Sequence, residues 1–339
     1  MAPKPGVIPL GPLRLGDIFN GAFATLGRYG KQLFAVGAAL YGGALVVVLA
    51  AAAVAYSAVS DHLDRLFELT EYEDPSSRDL VPVFVAFGVV ALLGFLSVVI
   101  ASAVVYAAVP AVLQEAVLGR PTTFSAIWRR AWARMPAVLG ALLLTGLIAM
   151  APSVLAMAAL MAGIFGAVAT DGDGAWVTLI VIGAVCFLAL VPLTLWLWVK
   201  FSLAPSAAVF ENQGPVAALR RSATLTRGDW WRVCGMTLLA GVLAAVASYL
   251  IQLPFNFLGM FTSSLGTAGL DENPNPAAIL AVLGGYVVLA AIGQLVSQLI
   301  VAVFPPLVSG LLYVDRRIRT ENLAPVLAQA AAVPPQFTA

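Results

Sequence analysis

Six stretches of the chain run free of charge for long enough to cross a hydrocarbon layer: roughly Leu33 to Ser60, Leu80 to Tyr106, Met135 to Ala167, Ala175 to Trp198, Val233 to Phe261 and Ala277 to Phe304. A helix needs about 20 apolar residues to span that layer, and only helices or closed barrels satisfy their backbone groups inside it. Over 339 residues, 61% are hydrophobic and 10% charged, and the mean hydropathy is +0.96, beyond what a soluble core requires. The expected fold class is an all-α membrane protein with six transmembrane helices. The first run starts near Leu33, after the lead MAPKPGVIPLGPLRLG, so no cleavable signal peptide is expected. Cys186 and Cys234 have no metal-ligand spacing and read as packing residues.

The connections alternate in charge. Segments 61–79, 168–174 and 262–276 are acidic or neutral, whereas sixteen of the 18 Lys and Arg lie in the other set, leaving only Arg65 and Arg78. Basic segments stay in the cytoplasm, which predicts a multi-pass protein of the cell (cytoplasmic) membrane with both termini cytoplasmic. Of the 17 acids, 11 fall on the outer side, so the near-neutral total of +1 conceals a polarised molecule. Topology alone explains such a bias. Binding of anionic lipid is the functional alternative, with each Lys or Arg near the surface adding about 1 kcal/mol.

The pattern also repeats. Leu15, Ile18, Phe19, Ala22, Phe23 and Leu26 follow helical spacing, as do Phe124, Ile127, Trp128, Ala131, Trp132 and Met135. A third segment, Val216 to Arg227, has weaker periodicity but shares Ala-Thr-Leu-x-Arg with the first, with Pro215 at its start, Gly228 as a stop and Asp229 as a cap. Pro110, Pro205 and Pro306 lie 28 to 30 residues into stretches 80–119, 176–211 and 278–318, where proline would turn the chain toward the surface. The expectation is a single membrane domain of three units, each an interfacial amphipathic helix plus a transmembrane hairpin. Their approximate bounds are 13–119, 120–213 and 214–318, with 319–339 as a flexible cytoplasmic tail.

The most charged stretch, ALRRSATLTRGDWWRV (218–233), then reads as a surface segment with arginines at phosphate level and tryptophans at headgroup depth. Candidate contacts with anionic headgroups or a protein partner are Arg129, Arg130, Arg220, Arg221, Arg227, Trp230, Trp231, Arg316, Arg317 and Arg319. Nucleic acid is not an expected partner, because the patch abuts a span and no binding module surrounds it. Within the spans the polar residues are amides: Gln252 and Asn256 on one face of the fifth, Gln294 and Gln298 on one face of the sixth. They line a polar path or bond between helices. Gly37, Gly88, Gly146, Gly163, Gly241 and Gly285 mark close packing.

VAALRRSATLTRGDWWRVCGMTLL (216–239) and FPPLVSGLLYVDRRIRTE (304–321) resemble the bacterial, chiefly actinobacterial, multispanning proteins of the glycerophosphoryl diester phosphodiesterase membrane domain family. RPTTFSAIWRRAWARMPAVLG and GPLRLGDIFNGAF are similar to its other recurring segments, so the resemblance covers nearly the whole chain. Where that family continues with a Gly-Phe-Asp-Leu type ending, this chain reads TENLAPVL. The resemblance implies a membrane domain of the kind found attached to phosphodiesterases, and most stand-alone members of that family have no assigned activity.

The residues agree with that. The single histidine, His62, stands among Asp61, Asp64, Glu68 and Glu71, either a weak cation site or a solvated loop face. No nucleophile–base pair, phosphate loop or HExxH is present, and no cofactor or metal is expected. Ion coupling is disfavoured by the charge-free spans. The expected function is a non-enzymatic scaffold, assembly or lipid-interacting component. The alternatives are a permease or lipid-handling transporter using the amides, and a membrane anchor for a separately encoded enzyme.

Overall fold

The computed structural model describes residues 5–9, 11–67, 76–169, 174–268 and 276–332. Among them the chain forms helices and no strand: α1 (Leu15–Phe67), α2 (Ser77–Val117), α3 (Phe124–Ala169), α4 (Gly174–Phe201), α5 (Ala204–Phe210), α6 (Pro215–Thr226), α7 (Trp230–Ala268), α8 (Pro276–Glu321) and α9 (Ala324–Ala332). Six of these, α1, α2, α3, α4, α7 and α8, are long and apolar enough to cross a membrane. Their large apolar side chains point outward, as Phe87 (73% exposed), Leu155 (71%) and Leu188 (69%) illustrate. Water would penalise such faces heavily, whereas lipid accepts them. The chain is an all-helical multi-pass membrane protein.

The helices outrun the apolar runs. At 1.5 Å per residue the 53 residues of α1 have a contour of about 80 Å, against about 30 Å of hydrocarbon. The amphipathic segments Leu15–Leu26 and Phe124–Met135 are therefore the first turns of α1 and α3, not separate interfacial helices. Gly27 and Gly30 after the first and Pro136 after the second do not stop the helix. The third segment does stand alone, as α6, because Gly228 adopts φ +92° and breaks the chain before α7. Pro215 occupies the first turn of α6, where its missing N–H costs nothing. Of the three matched prolines, only Pro205 interrupts its helix, while Pro110 and Pro306 lie inside α2 and α8. At the break the Lys200 carbonyl accepts from Ser222 Oγ at 2.8 Å and Thr226 Oγ1 at 3.4 Å, so α6 satisfies a carbonyl at the end of α4. The stretch read as a tail contains α9; residues 333–339 lie outside the described set.

Two compact units share the chain. The first comprises residues 1–29, 106–239 and 306–339, and the second 30–105 and 240–305. In the first, Ile8, Leu13, Ile18, Leu113, Leu203, Leu307, Leu311, Leu312 and Tyr313 are fully buried, and α5 buries nearly its whole length. Gly6 permits the N-terminal lead to cross the end of α2, since a Cβ there would fall 2.2 Å from the Ala116 carbonyl oxygen. Val7 N–H donates to that oxygen at 3.2 Å. The unit closes on Asp315, whose side chain is 0% exposed. Its Oδ1 accepts from Leu13 N–H at 2.8 Å and Arg319 Nε at 2.9 Å, and its Oδ2 from Arg232 Nη2 at 3.2 Å. Both arginines also donate to the Leu13 carbonyl, at 2.6 and 2.7 Å.

In the second unit the helices approach at Gly37, where an added Cβ would meet Leu299 at 2.7 Å, and at Gly259, Gly266 and Gly293 against Tyr286, Val282 and Phe255. Gly88, Gly241 and Gly285 of this unit, and Gly146 of the first, face open space instead. His62 Nδ1 lies 2.9 Å from Asp79 Oδ1, with Arg65 Nη1 at 3.2 Å, tying the end of α1 to the start of α2. Asp61 and Asp64 do not join that contact among the described residues, and Glu68 and Glu71 lie outside them.

Asp315→Ala would strand two guanidinium groups and the Leu13 N–H. Breaking a buried pair costs about 3 to 5 kcal/mol. A clear fall in melting temperature in detergent is expected, and unchanged melting would show that Asp315 is not the closure of the first unit.

Candidate functional site

The candidate arginines separate by whether the chain supplies its own carboxylates. α5 ends at Phe210, placing Glu211 as its C-cap beside α6 and α8. Glu211 Oε1 accepts from Arg221 Nε at 2.8 Å and from the Tyr313 hydroxyl, and Arg317 Nε stands 3.6 Å away. Gln213 Nε2 donates to Glu211 Oε2 at 2.9 Å. Glu321 receives Arg317 Nε at 2.9 Å and Arg221 Nη2. Burial opposes the charge on Arg221, but hydrogen bonds and attraction from Glu211 and Glu321 outweigh it and hold the guanidinium above its ordinary range. Arg316 is buried, donates from Nε to the Leu225 carbonyl at 2.8 Å, and forms an ion pair with Asp229. The Asp229 carbonyl meanwhile accepts the first α7 bond, from Val233 N–H at 3.1 Å. Arg221, Arg316, Arg317 and Arg319 are thus structural ties. A headgroup would have to displace a fixed carboxylate to reach them.

The others differ. Arg129, Arg220 and Arg227 are exposed and form no ion pair among the described residues. Trp231 is 82% exposed, with Trp230 edge-on to it at 4.8 Å between ring centres.

Arg129 and Arg130 line a cavity of about 870 Å³ together with Arg120, Arg134, Gln114, Glu115, Thr122 and Asn212. Local rules build it. α2 ends in a Schellman motif: Gly119 takes φ +72°, Gly119 N–H bonds the Ala116 carbonyl at 3.2 Å, and Arg120 N–H bonds the Glu115 carbonyl at 3.0 Å. Tyr29 donates to the Arg120 carbonyl at 2.9 Å and holds the turn. Thr123 caps α3, its Oγ1 accepting from Ala126 N–H at 3.4 Å. The first turns of α3 then present Arg129, Arg130 and Arg134, near the positive end of the helix. Arg130 Nη1 bonds Gln114 Oε1 at 3.2 Å and Glu115 Oε1 at 3.4 Å, and Arg120 Nη2 donates to the Ala330 carbonyl of α9 at 3.0 Å. Arg129 and Arg134 have no such acid among the described residues, and Thr122 Oγ1 is buried without a partner among them. Four arginines and one glutamate line this cavity, a net positive lining whose charge and donors suit an anion.

The amides do not form one site. Gln252 Nε2 donates to the Ala290 carbonyl at 3.3 Å and to Asn256 Oδ1 at 3.4 Å, and Gln252 Oε1 accepts from Ser297 Oγ at 2.9 Å. That half joins α7 to α8. Gln294 and Gln298 instead line a largely apolar cavity of about 270 Å³ with Tyr41 and Leu45 of α1 and Val98 of α2, Tyr41 bonding Ser102 at 3.0 Å. The shared helical face had suggested a single site; the 3.6-residue period does not specify which neighbour each amide meets.

Several participants were missed from sequence: Glu211, Tyr313, Asp315, Arg120, Arg134 and Lys200. The available signal was that six acids lie on the basic side, where the charge rule does not require them. Lys200 has a second signal. It follows Trp196 by one helical turn, and its Nζ lies 4.5 Å from that ring centre.

The model of a domain of unknown function, DUF7847, matches residues 13–314. No curated protein and no solved structure matches the chain.

Glu211→Ala leaves Arg221, Arg317 and Tyr313 without their shared acceptor, and a destabilisation of about 3 kcal/mol is expected in thermal melting. Gln252→Leu removes interhelical bonds worth about 0.6 kcal/mol each, so its melting temperature should stay close to wild type. The reverse order would contradict the division between structural charges and interhelical amides.

Proposed function

We propose that this chain, which belongs to the DUF7847 family over residues 13–314, is a non-enzymatic protein of the cell membrane that holds anionic lipid headgroups on its cytoplasmic face. The observation that carries this is the α2–α3 cavity. There Arg129 and Arg134 face about 870 Å³ of space without an acid partner among the described residues, while Arg221, Arg316, Arg317 and Arg319 are neutralised within the chain. The excess of Lys and Arg on one side supports placing that face, and both termini, in the cytoplasm. Gln114, Asn212 and Thr122 add hydrogen-bonding groups suited to a hydroxyl-bearing phosphate headgroup.

A scaffold role follows if the lipid-loaded face also docks a protein. The permease alternative retains Gln294 and Gln298 as lining residues but loses Gln252, whose amide is engaged between α7 and α8. The anchor alternative needs a separately encoded enzyme on the same cytoplasmic face, and the family resemblance of 216–239 and 304–321 supports it.

In discs mixing anionic and zwitterionic phospholipid, Arg129→Ala/Arg134→Ala should weaken anionic-lipid binding about 30-fold, from about 1 kcal/mol per arginine. Equal retention by wild type and variant would remove the reading. A reporter active only in the cytoplasm should work when fused at either terminus, and activity at one end only would contradict the orientation.

A further inference from the structure

We infer that the junction of α4, α6 and α7 holds a second anion site, formed by Lys200, Arg227 and Trp230 and fitted to the phosphate of a membrane phospholipid. It goes beyond the proposed function, since it shares no residue with the α2–α3 cavity and stands if that cavity proves empty of lipid.

The cavity measures about 560 Å³, and among the described residues no Asp or Glu lines it. Lys200 comes from the last turn of α4, its ammonium held against the Trp196 ring at 4.5 Å and near Phe201 at 5.8 Å. Arg227 is the C-cap of α6, in extended backbone. The nearest acid in sequence, Asp229, is occupied by Arg316. Neither Lys200 nor Arg227 forms an ion pair among the described residues. Two like charges face one space with no counter-ion, an arrangement that repels itself until an anion enters.

A buried donor at the same cavity is also unsatisfied. Trp230 lines it, and its Nε1 is buried without a hydrogen-bond partner among the described residues. Such a group is normally satisfied by an acceptor. The walls are fixed independently of any ligand: Ser222 Oγ donates to the Lys200 carbonyl at 2.8 Å and accepts from Leu203 N–H at 3.2 Å. Preorganised cations lose little freedom on binding.

The chemistry required is a small oxyanion with several acceptor oxygens. Depth selects its source. Lys200 terminates a membrane-crossing helix, Trp196 and Trp198 on α4 are 42% and 44% exposed, and Trp231 lies at the start of α7. Tryptophan collects at headgroup level, so the site opens where phospholipid phosphates lie, with exposed Leu238 and Leu239 of α7 beside the acyl chains.

The test counts anionic phospholipids retained by the full chain released from native discs, by mass spectrometry. Lys200→Gln/Arg227→Gln should lose one lipid per chain and bind it about 30-fold more weakly, while Arg129→Gln/Arg134→Gln keeps that lipid. Lys200→Arg should retain it, which separates lost charge from lost fold, and Trp230→Phe should weaken it without altering charge. Full retention by Lys200→Gln/Arg227→Gln would overturn the site. Displacement of the lipid by an equimolar amount of inorganic phosphate would overturn the assignment to phospholipid.

Discussion

Asp315 sets the condition that the basic face must meet before it does anything else. A carboxylate with no exposed surface is tolerable only if its oxygens are filled, and here a backbone N–H and two arginines fill them. Those arginines come from α7 and α8, and the N–H from the lead into α1, so one acid joins three remote parts of the chain. Glu211 does the same for α5, α6 and α8, and Asp229 for α7 and α8. Hydrophobic burial gives little preference between helix partners where lipid is as apolar as leucine, so such polar ties carry much of the specificity of assembly.

This internal neutralisation decides which cations remain for function. A chain with sixteen positive groups on one face looks like a uniform lipid-binding surface when counted. Among the described residues six of them, Arg130, Arg221, Arg232, Arg316, Arg317 and Arg319, are paired with carboxylates, while two cavities gather cations that are not: the α2–α3 cavity with Arg129 and Arg134, and the α4–α6–α7 junction with Lys200 and Arg227. Each opening stands beside a helix terminus where the sequence enforces a sharp turn, at Gly119 and Gly228. The turns that end the helices also create the concavities in which arginine can face an anion.

The six spans were legible because hydropathy is a sum over some 20 residues and tolerates local error. Helix ends were less so. The amphipathic segments at Leu15–Leu26 and Phe124–Met135 look like surface helices in isolation, and Gly27, Gly30 and Pro136 stand between them and the spans, yet the helices run through these residues as α1 and α3. Conversely the stop at Gly228 was readable, and it proved real. Matched proline positions were a weaker guide, since Pro110 and Pro306 lie inside α2 and α8 and only near Pro205 does the helix break, where Ser222 and Thr226 bond the Lys200 carbonyl. The roles of the arginines were hidden for another reason. Leu13 and Asp315 are 302 residues apart, and Glu211 and Tyr313 are 102 apart. No local pattern connects such pairs.

The central claim is that lipid phosphate meets the unpaired arginines and not the paired ones. Solid-state NMR can measure this directly, by recoupling arginine guanidinium carbon to lipid phosphorus in bilayers containing anionic phospholipid. The account predicts close carbon–phosphorus contact in wild type, largely abolished when Arg129, Arg134 and Arg227 are replaced by glutamine, with the Arg221, Arg316, Arg317 and Arg319 signals remote from phosphorus throughout. Contact to phosphorus from Arg221, Arg316, Arg317 or Arg319 that survives unchanged in that triple variant would place the phosphate at the paired arginines and contradict the account.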